Sequence, residues 1–585
     1  MRKTLLFCAA VLAVGLGTVA VSFSQTVRSP ADFTFTNGSE PKSIDPHIMT
    51  GQPEGRIGLA LFEGLTYLDP ATLLPVPGVA ERWEVEDDGL RWTFHLRRNA
   101  RWSNGDPVTA RDFHWSWRRL LSPETASEYS YMLWDIVNAE RFNKGEIKDF
   151  SDVGVEVLDN WTLRVRLKSY VPYFLDVISF YTSCPVHPPT VEKWEAIAPG
   201  RWTLPENIVT NGPFLLESWV VNDRIRLRKN PNYWNAQSIR LETIDALSMD
   251  DVTASLNAYL RGEAEWNPSY WPASLNPEIL KHPDFTRTEA FIVYYYRINN
   301  TLPQFKDRRV RQALSLAIDR KEIVENVLGL GETEAFTYVP PGIDTYVPPK
   351  GLGYDPARAR QLLAEAGYPG GKGFPKINIL YNTHEAHRQV ATVVARQLSE
   401  ALGIEVQPYN EEWQAYQQHT RTLEYDLARA GWIGDYLDPI TFLDMWITDG
   451  GNNQTGYSSP LYDRLYRIAK DTLGFVAAPG DWEICEELPE GDRLRALVEA
   501  TRALPPGTPE RLASLSQVRM LVLKEMDRII SEVDVPILPV YFYVTKTLLK
   551  PHIGGCHLYL DRGQGKKLPN VLDMHPLRGF YRKDR

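Results

Sequence analysis

The sequence predicts an α/β protein of more than one domain. Three observations carry that reading. The chain has 585 residues, a length suited to two or three domains. Its first half alternates apolar and polar residues between turn signals, as half-buried strands do. From about residue 290 onward, strand-like and helix-like runs follow one another at the spacing of α/β layers.

The elements justify this in order. The start, "MRKTLLFCAAVLAVGLGTVAVSFSQ", has Arg2 and Lys3, an apolar run from Leu5 to Val21, and small residues at Ser22 and Ser24. This is the pattern of a secretory signal peptide, residues 1–24. An uncleaved membrane anchor is the competing reading, since the run is near spanning length. Cys8 lies inside the run rather than at its end after small residues, so lipid attachment is not expected. No later segment is apolar enough to span a bilayer, so the mature chain is expected to be soluble and exported. Cys184, Cys485 and Cys556 remain, an odd number that permits at most one disulfide. Cys184 with Cys556 is one pairing among those open.

In "LRWTFHLRRNARWSNGDPVT", Trp92, Phe94 and Leu96 alternate before a turn at Asn104-Gly105. Thr109 with Asp112 marks a helix start. A strand pair is expected around Asn222-Asp223. Val310, Leu314 and Ile318 share a helical face, and Asp319 with Glu322 forms the start of a second helix. Asp355-Pro356 opens and Gly367 closes another. "KINILYNT" reads as a strand, Val390, Val394, Leu398 and Leu402 as the helix after it, then "IEVQPY" and "YDLARAGW" as strands. Residues 471–510 are acidic and proline-bearing and read as a surface insertion rather than core.

The formal net charge of −10 argues against nucleic acid as a partner. The 17 tryptophans and 28 tyrosines fit either core or the walls of a ligand pocket. "HEAH" at His384–His387 has its histidines three apart, not the four a zincin needs, so a helix start with exposed histidines is expected and no metal or other cofactor is called for. There is no G-x-S-x-G elbow and no phosphate loop. Asp435 and Asp438 lie on one short element, unlike the facing carboxylates of a glycosidase. No enzyme is required. An exported hydrolase with Asp435 as its acid stands as the reading from a different class. In "ARAGWIGDYLDP", Asp435 follows directly on a strand. It either caps a turn or waits for a cation, and its place past a strand's carboxyl end favours a ligand.

Several longer motifs occur in series: "NGSEPKSIDPH", "LFEGLTYLDP", "PGVAERWEV", "NGPFLLESWVVNDRIRLRKNPNYW", "YYYRINN", "RRVRQALSLAIDR", "ARAGWIGDYLDP", "NNQTGYSSPLYDRL" and "PVYFYV". Together they resemble the periplasmic oligopeptide-binding proteins of ABC importers, over nearly all the mature chain. The resemblance implies a two-lobed periplasmic binding protein fold with an additional inserted domain and hinge closure around the ligand. Domain I would comprise residues 25–62, 190–290 and 541–585. Domain II would be the inserted lobe, 63–189, and domain III the ligand-binding α/β lobe, 291–540. It further implies a periplasmic monomer that binds an oligopeptide and passes it to the transmembrane subunits of an ABC permease. A murein peptide is an alternative ligand.

By this resemblance Asp435 meets the peptide's amino terminus, and the strand edge Ala430, Gly431, Trp432 and Ile433 pairs with its backbone, a form of β-augmentation. Arg429 and His387 would meet its carboxylate, although a structural ion pair is the other reading of Arg429. Thr50, Gly51 and Gln52 would form a second pairing segment. Tyr131 and Tyr270 would be aromatic walls, and Trp432 a wall as well. Some family members carry a disulfide where this chain has Ile292 and Ile433, so an apolar contact is expected there. Leu328, Pro268 and Ser269 also depart from the family's peptide contacts.

Overall fold

A sheet of eleven strands forms the backbone of the structure. The computed structural model describes residues 29–69, 74–268, 271–343, 345–478, 482–555 and 576–583. One end of the sheet holds Phe214–Val220, Arg224–Lys229, Thr243–Ser248, Phe33–Gly38 and Trp266–Asn267. The other end holds Leu427–Ile433, Ile377–Asn382 and Val406–Glu411. Between them lie two long antiparallel strands, Phe285–Ile298 and Ile537–Leu549. The boundaries expected at 290/291 and 540/541 fall inside these two continuous strands, which carry the backbone from one half of the sheet to the other. Their register shifts between Glu289 and Val293, a local irregularity that bends and twists a ladder.

Local sequence signals account for the elements. Trp92, Phe94 and Leu96 are buried along Arg91–Leu96. Thr109 and Asp112 close a capping box on Ala110–Leu121, with the Thr109 amide donating to Asp112 at 2.7 Å. Phe214–Val220 and Arg224–Lys229 pair around Asn222, whose φ of 58° is the left-handed turn conformation that Asn tolerates. Val310 and Leu314 are buried on Arg308–Leu316, and Asp355 caps Pro356–Glu365. The parallel strands Ile377–Asn382 and Val406–Glu411 are joined by the helix Glu385–Leu402, a βαβ unit whose buried helical face is Val390, Val394, Leu398 and Leu402.

One expectation is corrected. Residues 471–510 are not a surface excursion. They form the helices Thr472–Ala477, Glu483–Glu487 and Gly491–Ala503, and bury Val476, Ile484, Leu494 and Val498 in the same apolar cluster as Phe94 and Trp117. The acids and prolines mark the connections, while Leu494 and Val498, four apart, mark a helical face. That cluster also joins residues of 63–189 to the helix Pro509–Arg528, so this segment packs directly on the helical layer of the later half of the chain. Asp88–Arg511 at 2.9 Å and Lys470–Asp135 at 3.0 Å tie the two together. Cys184 is buried in the core; Cys556, its suggested partner, lies outside the described residues, as do residues 1–28 with the signal-peptide pattern.

Candidate ligand-binding site

The strand Leu427–Ile433 has one occupied edge and one that opens partway along. It pairs antiparallel with Phe285–Ile298 over its whole length, from Leu427 opposite Ile298 to Ile433 opposite Ile292. On the other side it pairs with Ile377–Asn382 only at Leu427 and Ala428. Beyond Arg429 that edge has no partner among the described strands. Backbone groups alternate sides along a strand. The Gly434 amide donates to the Phe291 carbonyl at 2.9 Å, which fixes the parity. Ala430 and Trp432 therefore turn inward to the ladder, Gly431 and Ile433 turn their amides and carbonyls to the open edge, and the amide of Arg429 still faces Leu380 of Ile377–Asn382. The Arg429 carbonyl already accepts from the Tyr416 hydroxyl. The amides and carbonyls of Gly431 and Ile433, both exposed, meet no partner among the described residues. Ile292 and Ile433 are register partners, so two apolar side chains stand opposite each other there.

Asp435 sits two residues beyond this edge. Its amide is held by the Thr441 hydroxyl at 3.2 Å and its carboxylate accepts from the Tyr131 hydroxyl at 3.0 Å. No Lys, Arg or His among the described residues lies within 4.0 Å of that carboxylate. Burial pushes its pKa up to about 6, against the lowering effect of the Tyr131 hydrogen bond. Asp438 behaves in the opposite way. It is buried in a two-pronged pair with Arg519 at 2.7 and 2.8 Å and also accepts from the Ile440 amide at 3.0 Å. One acid closes a turn around its own guanidinium; the other is desolvated with no cation of its own.

Asp435 faces a cavity of about 450 Å³ between the inserted segment and the ligand half. Tyr131 and Trp432 are in its wall. The Trp432 indole donates to the Thr441 carbonyl at 2.6 Å, which fixes the ring beside Asp435. Tyr173 and Tyr436 stack across the same boundary with centroids 4.7 Å apart.

Arg429 and His387 form a second cluster at the other end of the open edge. The Arg429 guanidinium contacts the Tyr543 hydroxyl at 2.9 Å and Asn382 at 3.4 Å, and lies over the Tyr294 ring at 4.9 Å. No carboxylate among the described residues pairs with it, so the structural ion-pair reading is not what the structure contains. Its Nε is buried without a partner, as is Nδ1 of His387. His387 is not the exposed histidine that "HEAH" suggested. It packs against Tyr294, with rings 5.6 Å apart, on the first turn of Glu385–Leu402. Burial, then the charge of Arg429, lowers its pKa to about 2, so it presents a neutral imidazole.

The remaining expected residues are not gathered at Asp435. Thr50 is exposed, Gly51 is the N-cap of the helix Gln52–Leu61, and Gln52 begins it. Tyr270 and Ser269 lie outside the described residues. Sequence reasoning missed Tyr129 and Tyr181, whose rings sit 6.0 Å apart beside Tyr131, and the Asp135–Lys470 pair in the cavity wall. The repeated tyrosines of "SEYSYM" were the available signal for the first. Nothing local marks Lys470 as the partner of a residue 335 positions away.

Residues 75–454 match the model for the middle region of bacterial extracellular solute-binding proteins, family 5. The chain is 37% identical over 529 residues to the periplasmic oligopeptide-binding protein OppA of Salmonella typhimurium, covering 89% of this chain and 88% of that protein. It is 33% identical to the periplasmic murein peptide-binding protein MppA of Escherichia coli, covering 81% and 87%. Among solved structures it resembles the unliganded open form of MppA, with a TM-score of 0.74 at 29% identity over 96% of this chain and 99% of that one. It also resembles Haemophilus influenzae OppA in complex with RPPGFSPFR, with a TM-score of 0.69 at 29% identity over 95% and 99%. The long sheet with its open edge, and the match over most of the length, lead to one assignment: the chain belongs to the bacterial extracellular solute-binding proteins of family 5.

Proposed function

We propose that this protein is the substrate-binding component of an ABC importer, capturing oligopeptides in the periplasm and delivering them to the permease without chemistry of its own. The observation that carries this is Asp435: a desolvated carboxylate with no cationic partner among the described residues, placed just past an open strand edge. A peptide satisfies both features at once. Its α-ammonium supplies the missing cation, and its backbone pairs with Gly431 and Ile433, so side chains are not read along that edge. Arg429, with neutral His387 beside it, receives the carboxylate end. Asp435 lies six positions after Arg429, a run of at most ~20 Å, which suits extended peptides of up to about six residues. A ligand touching both halves of the molecule favours closure by population shift, and the two long central strands are the natural hinge.

Residues 1–24 would direct export. Among the described residues no helix is long and apolar enough to cross a membrane. The relatives named for oligopeptides and murein peptides make peptide the ligand class to test first. Titration calorimetry with one tripeptide-to-pentapeptide series, each member free and N-acetylated, tests the reading. Free peptides should bind and acetylated ones should lose most affinity. Equal binding of the two forms refutes the anchor. Mass spectrometry of the recovered peptide should find it intact; cleavage would instead support the hydrolase.

A further inference from the structure

The cavity at Asp435 holds a second acid that a peptide's amino terminus does not use. Asp444 stands nine residues further on, directly after the short helix Ile440–Leu443, and lines the same cavity. Its carboxylate makes no hydrogen bond or ion pair with any described residue. The cation nearest in role, Lys470, is spent on Asp135 at 3.0 and 3.2 Å and on the Tyr173 hydroxyl at 3.2 Å. Glu140 is likewise held by Lys144 at 2.7 Å and Lys168 at 3.4 Å. The lining contains the carboxylates of Asp135, Glu140, Asp435 and Asp444 against the ammonium groups of Lys168 and Lys470, an excess of two negative charges. A single α-ammonium neutralises one.

We propose that Asp444 is a specificity-determining residue, selecting oligopeptides whose first residue carries a cationic side chain. The inference rests on the reading of Asp435 as the amino-terminal anchor. With the α-ammonium on Asp435, the first side chain starts at the cavity that Asp444 lines. The aromatic wall of Trp134, Trp432 and Tyr466 covers the aliphatic stem of a lysine or arginine, while the charged head reaches the carboxylate. Asp444 is half-buried, and a carboxylate partly withdrawn from water without a partner is relieved by a cation brought beside it. Consistent with this, burial pushes the Asp444 pKa up to about 7, with Asp435 adding to the shift and Lys470 opposing it.

The test compares Lys-Ala-Ala-Ala with norleucine-Ala-Ala-Ala, which share a stem and differ in the charge, by calorimetry near pH 8. The wild-type protein should prefer the lysine peptide by about tenfold or more. In Asp444→Asn the ratio should fall close to one with the norleucine peptide bound as before. A wild-type ratio near one, or a ratio that survives the substitution, overturns the proposal. A wild-type ratio near one overturns the proposal even if Asp444→Asn fails to fold, and Asp444→Ser then serves as the variant in which the preference must be lost. N-acetylated norleucine-Ala-Ala-Ala separates the two readings. If it binds as well as the free peptide, the Asp435 anchor fails. If it does not, the anchor stands and only Asp444 is being judged.

Discussion

Replacing Asp435 by Asn keeps its shape and removes its charge. In the structure the carboxylate is half-buried, hydrogen-bonded to Tyr131 at 3.0 Å, and paired with no described cation. A peptide ammonium bound there becomes half of a desolvated charge pair. Truncating one member of such a pair typically costs ~2–5 kcal/mol, because the other is left buried and unpaired. At 1.4 kcal/mol per decade, Asp435→Asn should weaken peptide binding by roughly 30- to 4,000-fold. The pH profile is more specific. The pKa of about 6 in the free protein means that the ammonium must bind a carboxylate that is protonated below that pH. Wild-type affinity should therefore be about tenfold weaker at pH 5 than at pH 7, and Asp435→Asn should lack that step. Calorimetry with a free tetrapeptide across this range reads both effects. A loss of less than about threefold in Asp435→Asn, smaller than the lower bound of that cost, would refute the reasoning, as would the same pH step in the variant.

The same charge should make the free protein less stable. The Asp435 carboxyl is raised from 3.8 to about 6 on folding. Its contribution is fully present below the unfolded value and lost as pH rises through about 6. Asp435→Asn should therefore unfold at a higher temperature than wild type above pH 6, by ~2–3 kcal/mol, with the difference vanishing below about pH 4 in scanning calorimetry. Tyr131→Phe removes a hydroxyl that stabilises the carboxylate; peptide affinity should fall about tenfold and the midpoint of the pH step should move up. Ile433→Pro deletes an amide on the open edge and spares the ladder to Phe285–Ile298, so thermal stability should hold while affinity for every peptide falls by a similar factor. Arg519→Met strands Asp438 in the core and should cost ~3–5 kcal/mol of stability in a denaturant titration.

Much of the fold could be read from short windows. Thr109 with Asp112, Asp355 with Pro356 and the turn at Asn222 each act within four residues, and helix and strand periodicity is equally local. The insertion was misjudged because composition was weighed above the spacing of Leu494 and Val498. In the site, Asp435 stood out as an acid directly after a strand. His387 looked exposed because "HEAH" says nothing of Arg429 or Tyr294 packing over it.

What the sequence determined by itself was the set of elements, their α/β order, and a carboxylate next to a strand end, since these follow from interactions between near neighbours. What only the tertiary structure decided was which carboxylates are paired. Asp438 and Asp435 are three residues apart, yet one meets Arg519 and the other faces a cavity with Tyr131. Whether a charge is compensated depends on groups brought from 81 and 304 positions away, and on how much water the packing of the inserted segment against the ligand half leaves around it. Desolvation is a property of the assembled volume, and no local window contains it.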